Sequence, residues 1–417
     1  MSPRDLFDKC VGFTRHKQVQ ELGLYPYFRP LAASEGSRVT IDGRPRIMLG
    51  SNNYLGLTHH PEVIAAAKTA IDEFGTGCTG SRMLNGTLDL HVQLEEELAD
   101  YLGKESVLLW STGFMSNSGS VGTLLGRKDL IFADREDHAS LVDGFILSGA
   151  RLVRFKHNDM DDLERRLKQY ENHEGARLIA VDGVYSMTGE IAPLPRLVEL
   201  ARAFDARLLV DEAHAVGTLG RGGRGTASHF GLTDQVDLIS GTFSKTFGSM
   251  GGFLAGPQAV KDYLMHHSRQ LMYTASFTPS VAATVLAALR IIREQPELVD
   301  QVRNNARWMR TELEGMGYNC LHSDSAVVPV VIGPVEQMLV FNHRIFEEGI
   351  FANPVLPPAV PTNACLVRTS YMASHDRRDL QEALDIFARV GTELGVIGPN
   401  KEAMAEHWAQ LAEQMAI

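Results

Sequence analysis

Residues 237–245, Asp-Leu-Ile-Ser-Gly-Thr-Phe-Ser-Lys, end an apolar run on small hydroxylated residues and one lysine. If the chain is still extended there, Thr242 and Ser244 share a face and both hydroxyls can meet an anion beside the Lys245 amine. A lysine next to such a pair suits Schiff-base chemistry, in which desolvation or a neighbouring cation frees the amine as a nucleophile. Taken alone, the segment is better described as a strand that ends in an ordinary surface lysine, and the rest of the chain has to overturn that reading.

Other apolar runs also end on reactive side chains. Asp211 closes the run 206–210, and a buried carboxylate there needs a cationic partner such as a pyridinium nitrogen. His214, three residues on, can reach the same side and hydrogen-bond a ring hydroxyl; the alternative is an aspartate that caps the next turn. Ser111-Thr112-Gly113-Phe114 follows the run 106–110 and opens a helix, an arrangement that offers backbone N–H groups to a phosphate. His138, in Asp137-His138-Ala139-Ser140, could stack on a flat heteroaromatic ring, and Ser186 lies just beyond the run 177–181. Each has an ordinary structural explanation, but together they put a phosphate cradle, a stacking ring, an acid and a lysine on successive strand ends.

Two motif matches point elsewhere and fail on context. Residues 75–80, Gly-Thr-Gly-Cys-Thr-Gly, fit the dinucleotide pattern GxGxxG but follow an expected helix, so they read as a helix end and turn. Asp211-Glu212-Ala213-His214 spells the letters of a nucleic-acid motor, yet no GxxxxGK[ST] loop exists to hold its nucleotide.

The elements that must position these residues alternate. Helices are expected to 74, at 88–101, from 114, at 160–170 and at 197–204, with strands at 106–110, 130–133, 151–154, 177–181, 206–210 and 236–240. This rhythm implies an α/β fold with a mostly parallel sheet between helices, whose ligands lie beyond the carboxyl ends of the strands. Before it, Asp42-Gly43 marks a hairpin between 38–41 and 46–49. Residues 1–25 have the spacing of one peripheral amphipathic helix, suited to a partner subunit or to weak contact with a membrane. After Pro279 a long helical stretch runs to 316, and strands at 326–332 and 366–369 suggest a smaller α+β unit. Met404, Trp408, Leu411 and Met415 share one face of a docking tail. The expected division is 1–60 for the N-terminal helix and short strands, 61–290 for a large cofactor-binding domain and 291–417 for the small domain with its tail.

At 417 residues and 44% apolar composition the chain can build a large core, and a formal net charge of −11 argues against nucleic acid as a partner. The four cysteines have no metal or CxxC spacing, so no metal site is expected and a reducing, cytoplasmic setting is. Asp5 and Asp8 precede any apolar run, against a signal peptide, and no run reaches the roughly 20 apolar residues of a membrane span.

The ordered set Ser51-Asn52-Asn53-Tyr54-Leu55-Gly56, Thr112-Gly113-Phe114, Asp137-His138-Ala139-Ser140, Asp211-Glu212-Ala213-His214 and Thr242-Phe243-Ser244-Lys245 resembles the α-oxoamine synthases, pyridoxal 5′-phosphate (PLP) enzymes of fold type I. Residues 77–89 and 353–361 are most similar to the bacterial members that condense L-serine with a long-chain acyl-CoA. The resemblance implies that Lys245 bonds the cofactor, Asp211 pairs with its ring nitrogen, His214 meets its ring hydroxyl and His138 stacks on it. Gly113, Phe114, Ser186, Thr242 and Ser244 would surround it. Tyr273-Thr274-Ala275-Ser276 is similar to the segment that crosses to the other subunit of a homodimer, where Thr274 or Ser276 would supply the phosphate bond because Ala275 lacks a hydroxyl. Arg368 matches the arginine that binds the amino-acid carboxylate, with Asn52 assisting, and Ser81 lies where the amino acid and acyl group are selected. The expected reaction gives 3-oxosphinganine, coenzyme A and carbon dioxide. Rival expectations are a synthase using alanine or glycine, an aminotransferase, and a non-catalytic subunit, which the retained Lys245 disfavours.

Overall fold

The computed structural model describes residues 5–404 and Trp408. Three short strands come first: β1 (Ala33–Glu35), β2 (Arg38–Ile41) and β3 (Arg44–Met48). Asp42 and Gly43 both take positive φ, 52° and 72°, the backbone that lets a two-residue turn follow the twist of its strands.

The large sheet has seven strands: β4 (Ser106–Trp110), β5 (Leu130–Asp134), β6 (Arg151–Phe155), β7 (Arg177–Asp182), β8 (Arg207–Asp211), β9 (Leu238–Thr242) and β10 (Gly252–Gly256), in the order β4-β10-β9-β8-β7-β5-β6. Neighbours run parallel except β10, which is antiparallel to both β4 and β9. Successive residues enter different cores. Leu109, Phe132, Ile179 and Val210 join the cluster on one face, and Leu108, Ile131, Leu178 and Leu209 the cluster on the other. Both faces are therefore covered by helices, as parallel strands require. Each such side chain contributes about 1.5–3 kcal/mol by leaving water.

β10 is absent from the sequence-based expectation. Gly-Phe-Leu-Ala-Gly has no alternation and is bounded by glycines, so its pairing is visible only once β4 and β9 stand on either side. The expected long helix after Pro279 is two helices, Pro279–Glu294 and Glu297–Gly315, broken at Gln295-Pro296 because proline has no N–H and turns the preceding residue away from helix.

A second core fills a smaller unit. Its sheet, β11 (Val327–Gly333), β13 (Asn353–Val355) and β14 (Cys365–Ser370), is antiparallel in the order β11-β14-β13, and β12 (Ile350–Phe351) pairs in parallel with β3. The helices Glu297–Gly315, Val335–Glu347 and Arg377–Glu393 cover it.

At the N-terminus two helices, Asp8–Val11 and Arg15–Glu21, replace the single one expected, with Gly12 between them. Only Val19 is buried, while Leu6, Val11, Phe13 and Leu22 are exposed. In the tail, Trp408 is buried and donates from Nε1 to Leu394 O at 3.0 Å, so it docks on its own chain. Leu411 and Met415 lie outside the described residues.

Candidate active site

β8 and β9 deliver Asp211 and Thr242 as their last residues, and β7 delivers Asp182. The strand β9 stops at Thr242, so Lys245 sits on the 243–251 connection to β10 and not on an extended strand. That loop is tied by Phe243 N to Gly251 O (3.0 Å) and Ser249 N to Phe243 O (2.9 Å). The Thr242 and Ser244 hydroxyls still meet, at 2.8 Å. A cavity of about 300 Å³ brings together Gly113, Phe114, His138, Asp211, His214, Thr242, Ser244 and Lys245.

Around Lys245 the electrostatics favour a reactive amine. Desolvation lowers its pKa to about 8, with Arg368 adding to the effect and Asp211 and Asp182 opposing it. Asp211 is buried and accepts from Asn117 Nδ2 at 2.6 Å and from Ala213 N at 2.9 Å. Asn117 also donates to Ser140 Oγ at 2.9 Å, and that hydroxyl lies 2.7 Å from His138 Nδ1. The Ser140 N–H, which can only donate, also points at this nitrogen (3.3 Å), so Nδ1 is the unprotonated position. Desolvation, opposed by Asp211 and aided by Lys245, lowers the His138 pKa and so favours the neutral ring.

His214 is linked to the other half of the cavity. Its Nδ1 lies 2.7 Å from the hydroxyl of the fully buried Tyr54, which receives Arg368 Nη2 at 3.4 Å. The guanidinium can only donate, and the tyrosine's single proton has two acceptors in reach, His214 Nδ1 and Asn52 Oδ1 at 3.3 Å; the shorter contact gives it to His214 Nδ1 and leaves the imidazole proton on Nε2. Burial, then Lys245, Arg368 and His138, hold the His214 pKa well below its usual value.

Arg368, on β14, is only 4% exposed. It donates to Asn52 Oδ1 at 2.9 Å and to Ser186 O at 2.5 Å, and it has no carboxylate partner among the described residues. A buried guanidinium without a counterion is a site for an anionic ligand. It opens on a second cavity, of about 430 Å³, with Asn52, Ser186, His138, His214 and Lys245, while Met187, Val355 and Leu356 give that cavity apolar walls. The two cavities meet at His138, His214 and Lys245.

PLP fits the donor set. The helix Gly113–Leu124 begins at the cavity with Thr112 as its cap, and a Cβ on Gly113 would stand 2.6 Å from Thr242 Oγ1, so only glycine lets the helix end and the hydroxyl pair close around a phosphate. At the other end Asp211 is held for a ring cation, with Lys245 within reach of both.

Three expected residues are not part of these cavities within the chain. Thr274 and Ser276 border a small separate gap beside Trp110 and Arg82, and Ser81 is buried away from both cavities. Tyr54 and Asn117 are tied by hydrogen bonds to His214, Arg368 and Asp211, and the sequence reading did not single them out. Tyr54 stood inside the motif 51–56, and Asn117 lies four residues beyond Gly113 on the same helix, the spacing that returns a side chain to the face of the helix start.

The chain belongs to the aminotransferase class I and II family, which matches residues 44–387. Among its relatives, the serine palmitoyltransferase of Sphingobacterium spiritivorum is 44% identical over 390 residues, covering 94% of this chain and 98% of that protein. The 8-amino-7-oxononanoate synthase of Geobacter sulfurreducens is 42% identical over 384 residues, covering 91% and 98%. A high-resolution structure of SPT with PLP matches at a TM-score of 0.91 and 36% identity, over 94% of this chain and 100% of that one.

Proposed function

We propose that the protein is a PLP-dependent acyltransferase that condenses L-serine with a long-chain acyl-CoA such as palmitoyl-CoA. The products are 3-oxosphinganine, coenzyme A and carbon dioxide, the first step of sphingolipid synthesis. The observation that carries this reading is Arg368, a buried guanidinium without a counterion among the described residues, which shares one cavity with Lys245 and an apolar wall.

PLP, when bound, supplies an electron sink for negative charge at the amino-acid α-carbon. Lys245 would hold it, and its Nζ would take up the α-proton of serine. Asp211, fixed by Asn117, would keep the ring nitrogen protonated, and His214, held at Nδ1 by Tyr54, would donate from Nε2 to the ring hydroxyl. His138, a neutral imidazole in the same cavity, would be the residue to stack on the ring. Gly113, Phe114, Thr242 and Ser244 would hold the phosphate, and Ser186 would close the amino-acid side. Arg368 and Asn52 orient the serine carboxylate, which leaves as carbon dioxide after the α-carbon has displaced coenzyme A from the thioester. Fixed charges that need no rearrangement during the reaction supply the larger part of the rate.

We assign Ser81 to the amino-acid and acyl pocket of a partner subunit in a homodimer, and Thr274 and Ser276 to that subunit's phosphate site. Their separation from the Lys245 cavity within one chain supports this. Among the described residues no helix is long and apolar enough to cross a membrane, and we place the enzyme in the cytoplasm with at most peripheral membrane contact through its N-terminal helices.

The 42% identity to an 8-amino-7-oxononanoate synthase favours a second reading, in which alanine or glycine meets a different acyl-CoA. The test is coenzyme A release with serine, alanine and glycine, each crossed with short and long acyl-CoAs. Release with serine and palmitoyl-CoA is expected, and Lys245→Ala should abolish both turnover and the visible absorbance of the bound cofactor. Release with alanine alone moves the assignment to the second reading; none with any pair refutes both.

A further inference from the structure

A cavity of about 220 Å³ lies outside the site described above, where the helix Glu297–Gly315 of the smaller unit faces the larger one. Arg303, Arg307 and Arg310 line it from that helix. Their spacings of four and three residues place all three guanidiniums on one helix face. His229, the last residue of the short helix Thr226–His229 in the larger unit, also lines it, and Leu219 adds an apolar patch.

The charges there do not balance. Among the described residues the one carboxylate lining the cavity is Asp324, which pairs with Arg310 at 2.6 Å. Arg303 and Arg307 form no ion pair among the described residues, and Arg307 only donates to Asn304 Oδ1 at 3.2 Å. Arg303 Nε is buried with no hydrogen-bond partner. Three guanidiniums against one carboxylate leave two positive charges, on a chain whose formal net charge is −11. Like charges gathered in a concave, partly desolvated space repel one another, and a multivalent anion removes that cost. A carboxylate would neutralise only one of the two. A phosphoryl dianion matches the charge, and its tetrahedral oxygens can take forked N–H donors from several guanidiniums at once.

We propose that this cavity binds a phosphoryl dianion held by Arg303, Arg307 and Arg310, with His229 facing it across the boundary of the two units. The ligand is free phosphate or the phosphate group of a larger molecule. The site is separate from the Lys245 cavity and does not depend on the reaction assigned to it.

The test is calorimetric titration of the cofactor-loaded protein with inorganic phosphate at constant ionic strength, with the phosphate-dependent rise in melting temperature as a second readout. Saturable binding is expected, and in Arg303→Gln/Arg307→Gln the Kd should rise at least about tenfold. Arg307→Gln alone, at an exposed position, should weaken binding with an unchanged melting temperature in phosphate-free buffer. A parallel titration with coenzyme A identifies the source: displacement of phosphate assigns the site to the phosphates of that molecule, and independent binding assigns it to free phosphate. Ser244→Ala should leave phosphate binding intact. The proposal falls if no saturable binding is seen, if the arginine variants bind as the wild type does, or if Ser244→Ala abolishes binding.

Discussion

Replacing Tyr54 with Phe removes one oxygen and nothing else. The ring is fully buried, so its packing is kept, and the effect comes from the hydroxyl's neighbours. Those are His214 Nδ1 at 2.7 Å, Asn52 Oδ1 at 3.3 Å and Arg368 Nη2 at 3.4 Å. In the variant the buried Nδ1 of His214 has no donor. Leaving such a group unsatisfied costs about 1–3 kcal/mol, or roughly 5- to 150-fold in an equilibrium or rate constant. Part of this appears as lost stability. The rest appears at the site, because nothing then fixes the imidazole proton on Nε2, where the ring hydroxyl of the cofactor would meet it. The expected outcome is PLP affinity weakened about tenfold and kcat/KM for serine lowered about 10- to 100-fold, with the far-ultraviolet circular dichroism unchanged. Cofactor affinity is read by absorbance titration of the apoprotein. Wild-type values for both constants would refute the link between Tyr54, His214 and Arg368.

Arg368→Gln should raise the serine KM about 100-fold, since two charge-assisted hydrogen bonds to a carboxylate are worth about 3 kcal/mol together, while cofactor binding stays unchanged; an unaltered KM removes Arg368 from the substrate site. His157 supplies a test of stability against pH. Burial lowers its pKa, but hydrogen bonds to Asp134 (2.9 Å) and Glu190 (3.0 Å) outweigh this and push it up to about 10. A histidine whose folded pKa is raised stabilises fully below its unfolded value of about 6.5, and the contribution is lost as the pH rises through about 10. His157→Gln should therefore cost about 2 kcal/mol in urea denaturation at pH 7 and much less near pH 10; an equal gap at both pH values would contradict the charged assignment.

Much of the fold was legible because its signals are local. Apolar runs bounded by polar turns located the strands β4 to β9 within a residue or two, and their alternation with helices implied the mostly parallel sheet. β10 escaped because a five-residue apolar run between glycines gains its identity only from neighbours distant in sequence. The N-terminal helix was overextended for a related reason. Periodicity reports which residues share a face, but not whether a core covers that face, and here only Val19 finds one.

For the site, the sequence alone determined the side chains at strand ends: Asp211 and Thr242 close strands, and Gly113 opens a helix, because strand termination and helix capping depend on nearby residues. Long-range pairing decided what those groups are to one another. Arg368 on β14 of the smaller unit, Tyr54 and Asn52 from the N-terminal segment, and His214 from the large sheet converge only when both cores have formed. Desolvation likewise belongs to the folded chain, and it lowers the Lys245 amine to about pKa 8 and gives Arg368 its need for an anion. Residue type set which chemistry was available; distance and loss of water set which groups can perform it.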